Sequence, residues 1–228
     1  MGVVAELILI RHGQSAANVA FPLANQQGRL DSGLTGRDTD VELTELGVEQ
    51  ARAVGRWLAT LSPGELPEVV ITSPYRRARE TWRIAVEASG LSLPTPSMDD
   101  RLVDRLTGEL EMLTDAAIRQ RFPDEPARFE QDGEYAYRPP GGETFGDIAE
   151  RLSSFLADLN GKHAGERVVV VAHDSVVLMM RFVIEGLELA ALPGIVEQHG
   201  QVRNASITSF RESSGRLVLD RYNTVDHL

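Results

Sequence analysis

Three short apolar runs in this chain each lead into a cationic or imidazole side chain. Glu6-Leu7-Ile8-Leu9-Ile10 is followed by Arg11 and His12, and Glu68-Val69-Val70-Ile71-Thr72 runs through Ser73-Pro74 towards Arg77. Arg167-Val168-Val169-Val170-Val171-Ala172 is followed by His173. Taken singly, a histidine at a strand end is more often structural than catalytic, and an arginine early in a helix is usually a solvated charge. Their common placement is harder to dismiss, because core packing gives no reason for it and open α/β sheets gather ligand groups at the carboxyl ends of their strands. Two guanidinium groups and two imidazoles in one pocket suit phosphate. Arginine offers a planar fork of donors that matches phosphate oxygens and stays charged. An imidazole can attack phosphorus and hold the group covalently, dividing one displacement into two easier ones. A protonated second histidine would neutralise the equatorial oxygens, the main electrostatic task in phosphoryl transfer. Asn18 adds a neutral donor, and Gly13 is expected to let the chain pass close to the bound group.

A leaving alkoxide also needs a proton, for which a carboxyl group with a raised pKa is the usual source. The candidates are Asp99, Asp100, Asp104, Glu109, Glu111 and Asp174, and spacing alone does not choose among them.

The elements that must position these groups follow from the alternation of apolar runs with amphipathic stretches, which predicts βαβ units and a mainly parallel sheet. The three runs are apolar throughout, as strands buried on both faces require. Thr44 reads as an N-cap before a helix with Ala51, Val54, Leu58 and Leu61 on one stripe. Ser73-Pro74 predicts a capped helix start, and Gly90 its left-handed stop. Thr144 with Asp147 predicts a capping box for a helix reaching Gly161, and Asp115 to Arg121 a shorter helix. Residues 19–42 read as a long surface loop, residues 91–143 as an inserted cover over the sheet, and residues 207–222 as a hairpin. The expectation is one domain spanning 1–228, an α/β three-layer sandwich with helices on both faces of the sheet.

The chain of 228 residues is 42% hydrophobic and 25% charged, the balance of an ordinary globule with a sizeable core. Its formal net charge of -11 repels polyanions, so no nucleic acid partner is expected, and an anionic substrate must meet a local cluster of cations. With no cysteine there is no disulfide, thiolate nucleophile or zinc–sulfur site, which fits a reducing cytosol. No apolar stretch approaches membrane-spanning length, so the chain reads as cytoplasmic, with no membrane association.

In order along the chain, Arg11-His12-Gly13 with Ser15 and Asn18, Leu43-Thr44-Glu45-Leu46-Gly47, Ser73-Pro74-Tyr75-Arg76-Arg77-Ala78-Arg79-Glu80-Thr81, Gly142-Glu143-Thr144-Phe145, and Val169 to His173 resemble the histidine phosphatase superfamily, the phosphoglycerate-mutase-like proteins. The resemblance implies that His12 is the phosphorylated nucleophile. It also implies that Arg11, Gln14, Asn18, Arg77 and His173 hold the phosphate. The segment Leu102-Val103-Asp104 resembles the Leu-x-Glu stretch that carries the proton donor, which implies Asp104, with Glu109 and Asp174 in reserve. Gln14 stands where the mutases and bisphosphatases have Glu. The mutase segments Arg-Phe-x-Gly-Trp and Arg-Arg-Ser-Tyr-Asp are missing, and residues 102–145 are nearest the fructose-2,6-bisphosphatase-like, broad-specificity branch. In that branch's lysine position stands Gly141.

The expected activity is therefore that of a histidine acid phosphatase-type phosphoric monoester hydrolase. It would act on small phosphorylated metabolites through phosphohistidine, with no metal and no cofactor. A phosphoglycerate mutase-type transferase is the alternative enzyme, and a non-catalytic phospholigand-binding protein is the alternative from another class. Homodimers are common among similar proteins.

Overall fold

The computed structural model describes residues 2–228. Four strands run parallel in the order β3-β2-β4-β1: β1 (Glu6–Arg11), β2 (Val69–Thr72), β3 (Ser97–Met98) and β4 (Arg167–Ala172). An antiparallel hairpin, β5 (Ile207–Ser213) and β6 (Arg216–Thr224), extends the sheet beyond β1.

The apolar runs are continuous because each strand serves two cores. In β1 and β4, Leu7, Leu9, Val168 and Val170 face Ile148, Leu152, Phe155 and Leu159 of α6 (Phe145–His163), together with Val176, Met179 and Met180 of α7 (Asp174–Glu185). The intervening Ile8, Ile10, Val169 and Val171 face Val54 and Leu58 of α2 (Glu45–Leu58) and Ala78, Trp82 and Ala85 of α3 (Arg76–Ser89). The architecture is thus a six-stranded mixed sheet between two helical layers.

Several expectations change. Residues 16–26 are not loop but helix α1 (Ala16–Gln26), with Pro22 inside it. Its capping box joins Ser15 to Asn18 rather than to Glu or Gln. Only the stretch after Gln27 is irregular, up to Thr44, which caps α2 through Gly47 N as expected. The Ser73-Pro74 start is displaced: α3 begins at Arg76 with Tyr75 in the N-cap position, because the Ser73 hydroxyl is held by other partners. The 91–143 segment contributes β3 to the sheet edge before it becomes a cover of short helices, α4 (Asp115–Arg121) and α5 (Glu125–Asp132). The α6 helix runs two residues past Gly161. Besides α1, the helices α5, α7 and α8 (Leu192–His199) had no counterpart among the sequence expectations. Among the described residues no helix is long and apolar enough to cross a membrane.

Candidate active site

The carboxyl ends of β1, β2 and β4 open into one cavity of about 860 Å³, lined by Arg11, His12, Asn18, Arg77, Asp104 and Asp174 among others. His12 and His173 lie at neighbouring strand ends, with ring centroids 5.2 Å apart, and both are buried. Tyr75 packs edge-on to His173 at 4.9 Å, and Arg77 lies over the Tyr75 ring at 4.8 Å.

The tautomer of His12 follows from its partners. Its Nδ1 is 2.7 Å from the Gly13 carbonyl, which can only accept, so Nδ1 carries the proton. Its Nε2 receives the Arg77 Nε–H at 3.2 Å, so Nε2 holds a lone pair. Burial, with the charges of His173, Arg77 and Arg11, holds the imidazole well below its usual range. The group is therefore a neutral imidazole with its nucleophilic nitrogen aimed along the arginine.

The Arg77 guanidinium is fully engaged. Besides His12 it donates to Asp38 through both terminal nitrogens, at 2.9 and 3.2 Å, and to Asp104 Oδ2 at 3.0 Å. A two-point carboxylate on an arginine fork has the geometry that a phosphate dianion takes. Asp38 sits on the irregular stretch before α2, and sequence reading gave no reason to single it out. Its carboxyl is pushed up by burial in spite of Arg77.

Arg11 donates to Val202 O at 2.5 Å and pairs with Asp174 at 3.1 Å, while its Nε is buried without a partner. An unpaired buried donor costs about 1–3 kcal/mol. An incoming oxygen acceptor beside Arg11 would relieve that penalty. Asn18 lines the cavity, and its orientation is fixed. Its Oδ1 accepts from Ser15 N at 3.0 Å, Ser15 Oγ at 3.0 Å and Asn204 Nδ2 at 3.1 Å. The amide NH2 remains as the donor end.

Asp104 is surrounded by donors. Ser175 Oγ donates at 2.7 Å, Arg77 lies at 3.0 Å, and His173 Nδ1 lies at 3.4 Å. Burial pushes its carboxyl up, but the charges of His173 and Arg77 and the Ser175 hydroxyl overcome this and hold it well below the carboxylate range. His173 differs from expectation. Burial pushes it down to about 3 against the pull of Asp104, with Arg77 and Arg11 adding to the fall. Its Nε2 lies 2.8 Å from Ser73 Oγ. Asp174, part-exposed at the cleft beside Arg11, is pushed up by partial loss of water. Glu109 does not line the cavity; Glu111 does.

Two sequence expectations find no support in the geometry. Gln14 does not reach the phosphate pocket: Thr44 Oγ1 donates to its Oε1 at 2.8 Å, and the side chain is turned towards the start of α2. At Gly13 the geometry shows a packing demand instead. A Cβ there would lie 2.4 Å from Gly47 O, and a Cβ on Gly47 would lie 2.0 Å from Gln14 O, so both glycines let α2 approach the strand end. Ser73, Ser175 and Asn204 are further supporting residues that the sequence did not mark. Ser73 was read only as a helix-start signal within its motif, Ser175 lies two places after His173, and Asn204 lies near no motif. Among the described residues no group of three or more His, Asp or Glu side chains is arranged to hold a metal ion.

Comparison with known proteins follows the same lines. The model of the histidine phosphatase superfamily, branch 1, matches residues 7–225. A 2,3-bisphosphoglycerate-dependent phosphoglycerate mutase of Methylobacterium radiotolerans is 34% identical over 219 residues, covering 94% of this chain and 95% of that protein. A metal-independent phosphoserine phosphatase of Arabidopsis thaliana is 28% identical over 225 residues, 99% of this chain and 84% of that one. Among solved structures, a mycobacterial glucosyl-3-phosphoglycerate phosphatase in complex with VO3 superposes with a TM-score of 0.73 at 29% identity, covering 97% of this chain and 100% of the other.

Proposed function

Since the chain belongs to branch 1 of the histidine phosphatase superfamily, we propose that it hydrolyses phosphomonoesters of small molecules through a covalent phosphohistidine on His12, with no metal or cofactor in the reaction. The observation that carries this reading is the Nε2 of His12, accepting from the Arg77 Nε at 3.2 Å in a cavity that Arg11 also lines.

The Nε2 lone pair attacks phosphorus, and the electron pair of the breaking P–O bond stays on the leaving oxygen, which takes a proton from Asp104. Water then attacks the phosphohistidine and gives its proton to the Asp104 carboxylate, while the P–N electron pair returns to His12. Arg11, Arg77 and the Asn18 amide hold the equatorial oxygens throughout. The groups around Asp104 hold it ionised, and substrate changes that. A phosphate dianion draws Arg77 away from Asp104 and places negative charge beside it, and both effects favour the acid form. The same exchange releases Asp38 from the arginine fork.

The test is hydrolysis of a chromogenic aryl phosphate after EDTA treatment, with capture of the intermediate by acid-free denaturation and mass spectrometry. Turnover that survives EDTA, with a phosphoryl adduct on the His12 peptide, is the expected result. Equal rates for the wild type and His12→Ala reject the reading.

A second reading is phosphoryl transfer back to substrate, favoured by the 34% identity to a phosphoglycerate mutase. A coupled assay of 3-phosphoglycerate with its bisphosphate primer separates the two, since hydrolysis without isomerisation excludes the mutase.

A further inference from the structure

The cavity is far larger than a phosphoryl group, and its two ends differ in chemistry. The floor holds Arg11, His12 and Arg77, buried or nearly so. The mouth is walled by Phe21 of α1, Met112 and Leu113, Ile118 of α4, Phe129 of α5 and Pro139. Phe129 is 43% exposed although it is a large aromatic, and it stands edge-on to Tyr137 at 5.2 Å. Met112 holds a φ of 61°, a left-handed conformation that an unbranched non-glycine residue adopts at a cost of about 1–3 kcal/mol. Such strain places a side chain where relaxed backbone would not.

Charge at the mouth is the second observation. Glu111, Asp115 and Glu130 line it, are exposed, and make no ion pair among the described residues. Two arginines are near. Arg105 is held by the Glu143 and Tyr137 carbonyls at 3.0 and 2.7 Å and lies over the Phe145 ring. Arg119 is exposed on α4. A second anionic group entering behind the phosphate would meet three solvated carboxylates against two cations, Arg119 and the carbonyl-held Arg105, whereas an apolar body would cover the aromatic and aliphatic wall.

We propose that this outer chamber selects a phosphomonoester whose alcohol part is bulky, apolar and uncharged, and that it turns away esters carrying a second anionic group. The inference rests on the phosphatase reading for turnover, but it concerns the chamber's own preference, which binding reports independently.

Three primary-alkyl esters of similar leaving-group basicity test it: 2-phenylethyl phosphate, glycerol 1-phosphate and 3-phosphoglycerate. Calorimetric binding to the His12→Ala protein should be tightest for the phenylethyl ester and weakest for phosphoglycerate, with about tenfold or more between successive members. In the wild type, kcat/KM should follow the same order. Phe129→Ala should shrink the phenylethyl-to-glycerol ratio about tenfold through KM. Phe129 is exposed enough for the variant to fold, and Ile118→Ala gives an independent second wall position. Equal or tighter binding of 3-phosphoglycerate, or a ratio unmoved by both wall variants, overturns the proposal. If the binding order holds and none of the esters is hydrolysed, the chamber preference stands and the phosphatase reading fails.

Discussion

The floor and the mouth of the cleft are built by different means. At the floor, the nucleophile and the basic side chains around it leave the end of a buried parallel strand or the first turn of the helix that follows: Arg11 at the end of β1 and His12 just after it, Arg77 in α3, His173 between β4 and α7, with Asp104 alone brought in from the 91–143 segment. Their positions are over-determined by ladder hydrogen bonds such as His12 N to Ala172 O at 2.9 Å, and by cores on both sheet faces. The mouth is assembled from short helices and turns of the 91–143 segment, with α1 opposite. Its side chains are exposed and its backbone is irregular. The lesson is a division of labour: chemistry sits where the sheet cannot move, and selectivity sits where the chain can be rewritten at little cost to folding.

The most direct way to break that division is to remove the nucleophile. His12→Ala should lower kcat by about 10⁴-fold or more while the fold persists, as measured by steady-state hydrolysis and circular dichroism. A residual rate within tenfold of wild type would show that the floor is not the seat of the chemistry. Asp104→Asn should lower kcat by roughly 10²–10⁴-fold. The loss should be steepest for alkyl esters and mildest for aryl esters, whose leaving oxygens need the proton least. A uniform loss across leaving groups would assign Asp104 a purely positioning role.

Asp38, like Asp104, reaches the floor from outside the strands and α-helices, and so it sharpens the comparison. Because its carboxylate fills the Arg77 fork, Asp38→Asn should tighten inorganic phosphate binding by about tenfold in calorimetry, the equivalent of about 1.4 kcal/mol. Unchanged or weaker binding would mean that Asp38 supports the site rather than competes for it.

Floor burial also predicts a pH dependence of stability. His12 and His173 are held below the ordinary imidazole value of 6.5 in the folded state, His173 at about 3. The unfolded chain therefore binds more protons as pH falls through 6.5, and stability drops with it. Each histidine contributes up to about 1.4 kcal/mol per pH unit. Asp38 and Asp174, whose carboxyls are pushed up, act in the opposite sense as pH falls further, so the histidine slope is cleanest just below pH 6.5. Denaturant midpoints in that range should fall with acid, and His173→Asn should flatten the slope by about half. The smallest effect belongs to Gln14→Ala: activity within about twofold of wild type, with a stability loss of about 1 kcal/mol from the Thr44 bond.

The same contrast explains what the sequence revealed. The strands β1, β2 and β4 were legible because they are buried on both faces and therefore uniformly apolar. The helices α2, α3 and α6 were legible from their one-sided stripes and end signals. The α7 helix was not: Ser175 to Met180 are all buried, so Ser-Val-Val-Leu-Met-Met shows no polar face to give a period. The α1 helix hid behind Asn, Gln and an internal Pro22. At the site, residues next to strand ends could be named, whereas Asp38 and Asn204 could not. Their positions depend on the path of a loop across the cleft, and no local pattern encodes that path.

The Gly13–Gly47 contact has a consequence for how this protein tolerates change. Each backbone occupies the space a Cβ of the other junction would need, within 2.4 and 2.0 Å of main-chain oxygens that no rotamer can move aside. A saturation library should therefore return glycine alone at both positions, and no pairwise exchange should rescue a single substitution, since either added carbon presses α2 off the strand that carries His12. Adjacent Gln14, by contrast, should accept many residues. Gly13 and Gln14, neighbours in the sequence, would then show opposite mutational spectra for one steric reason.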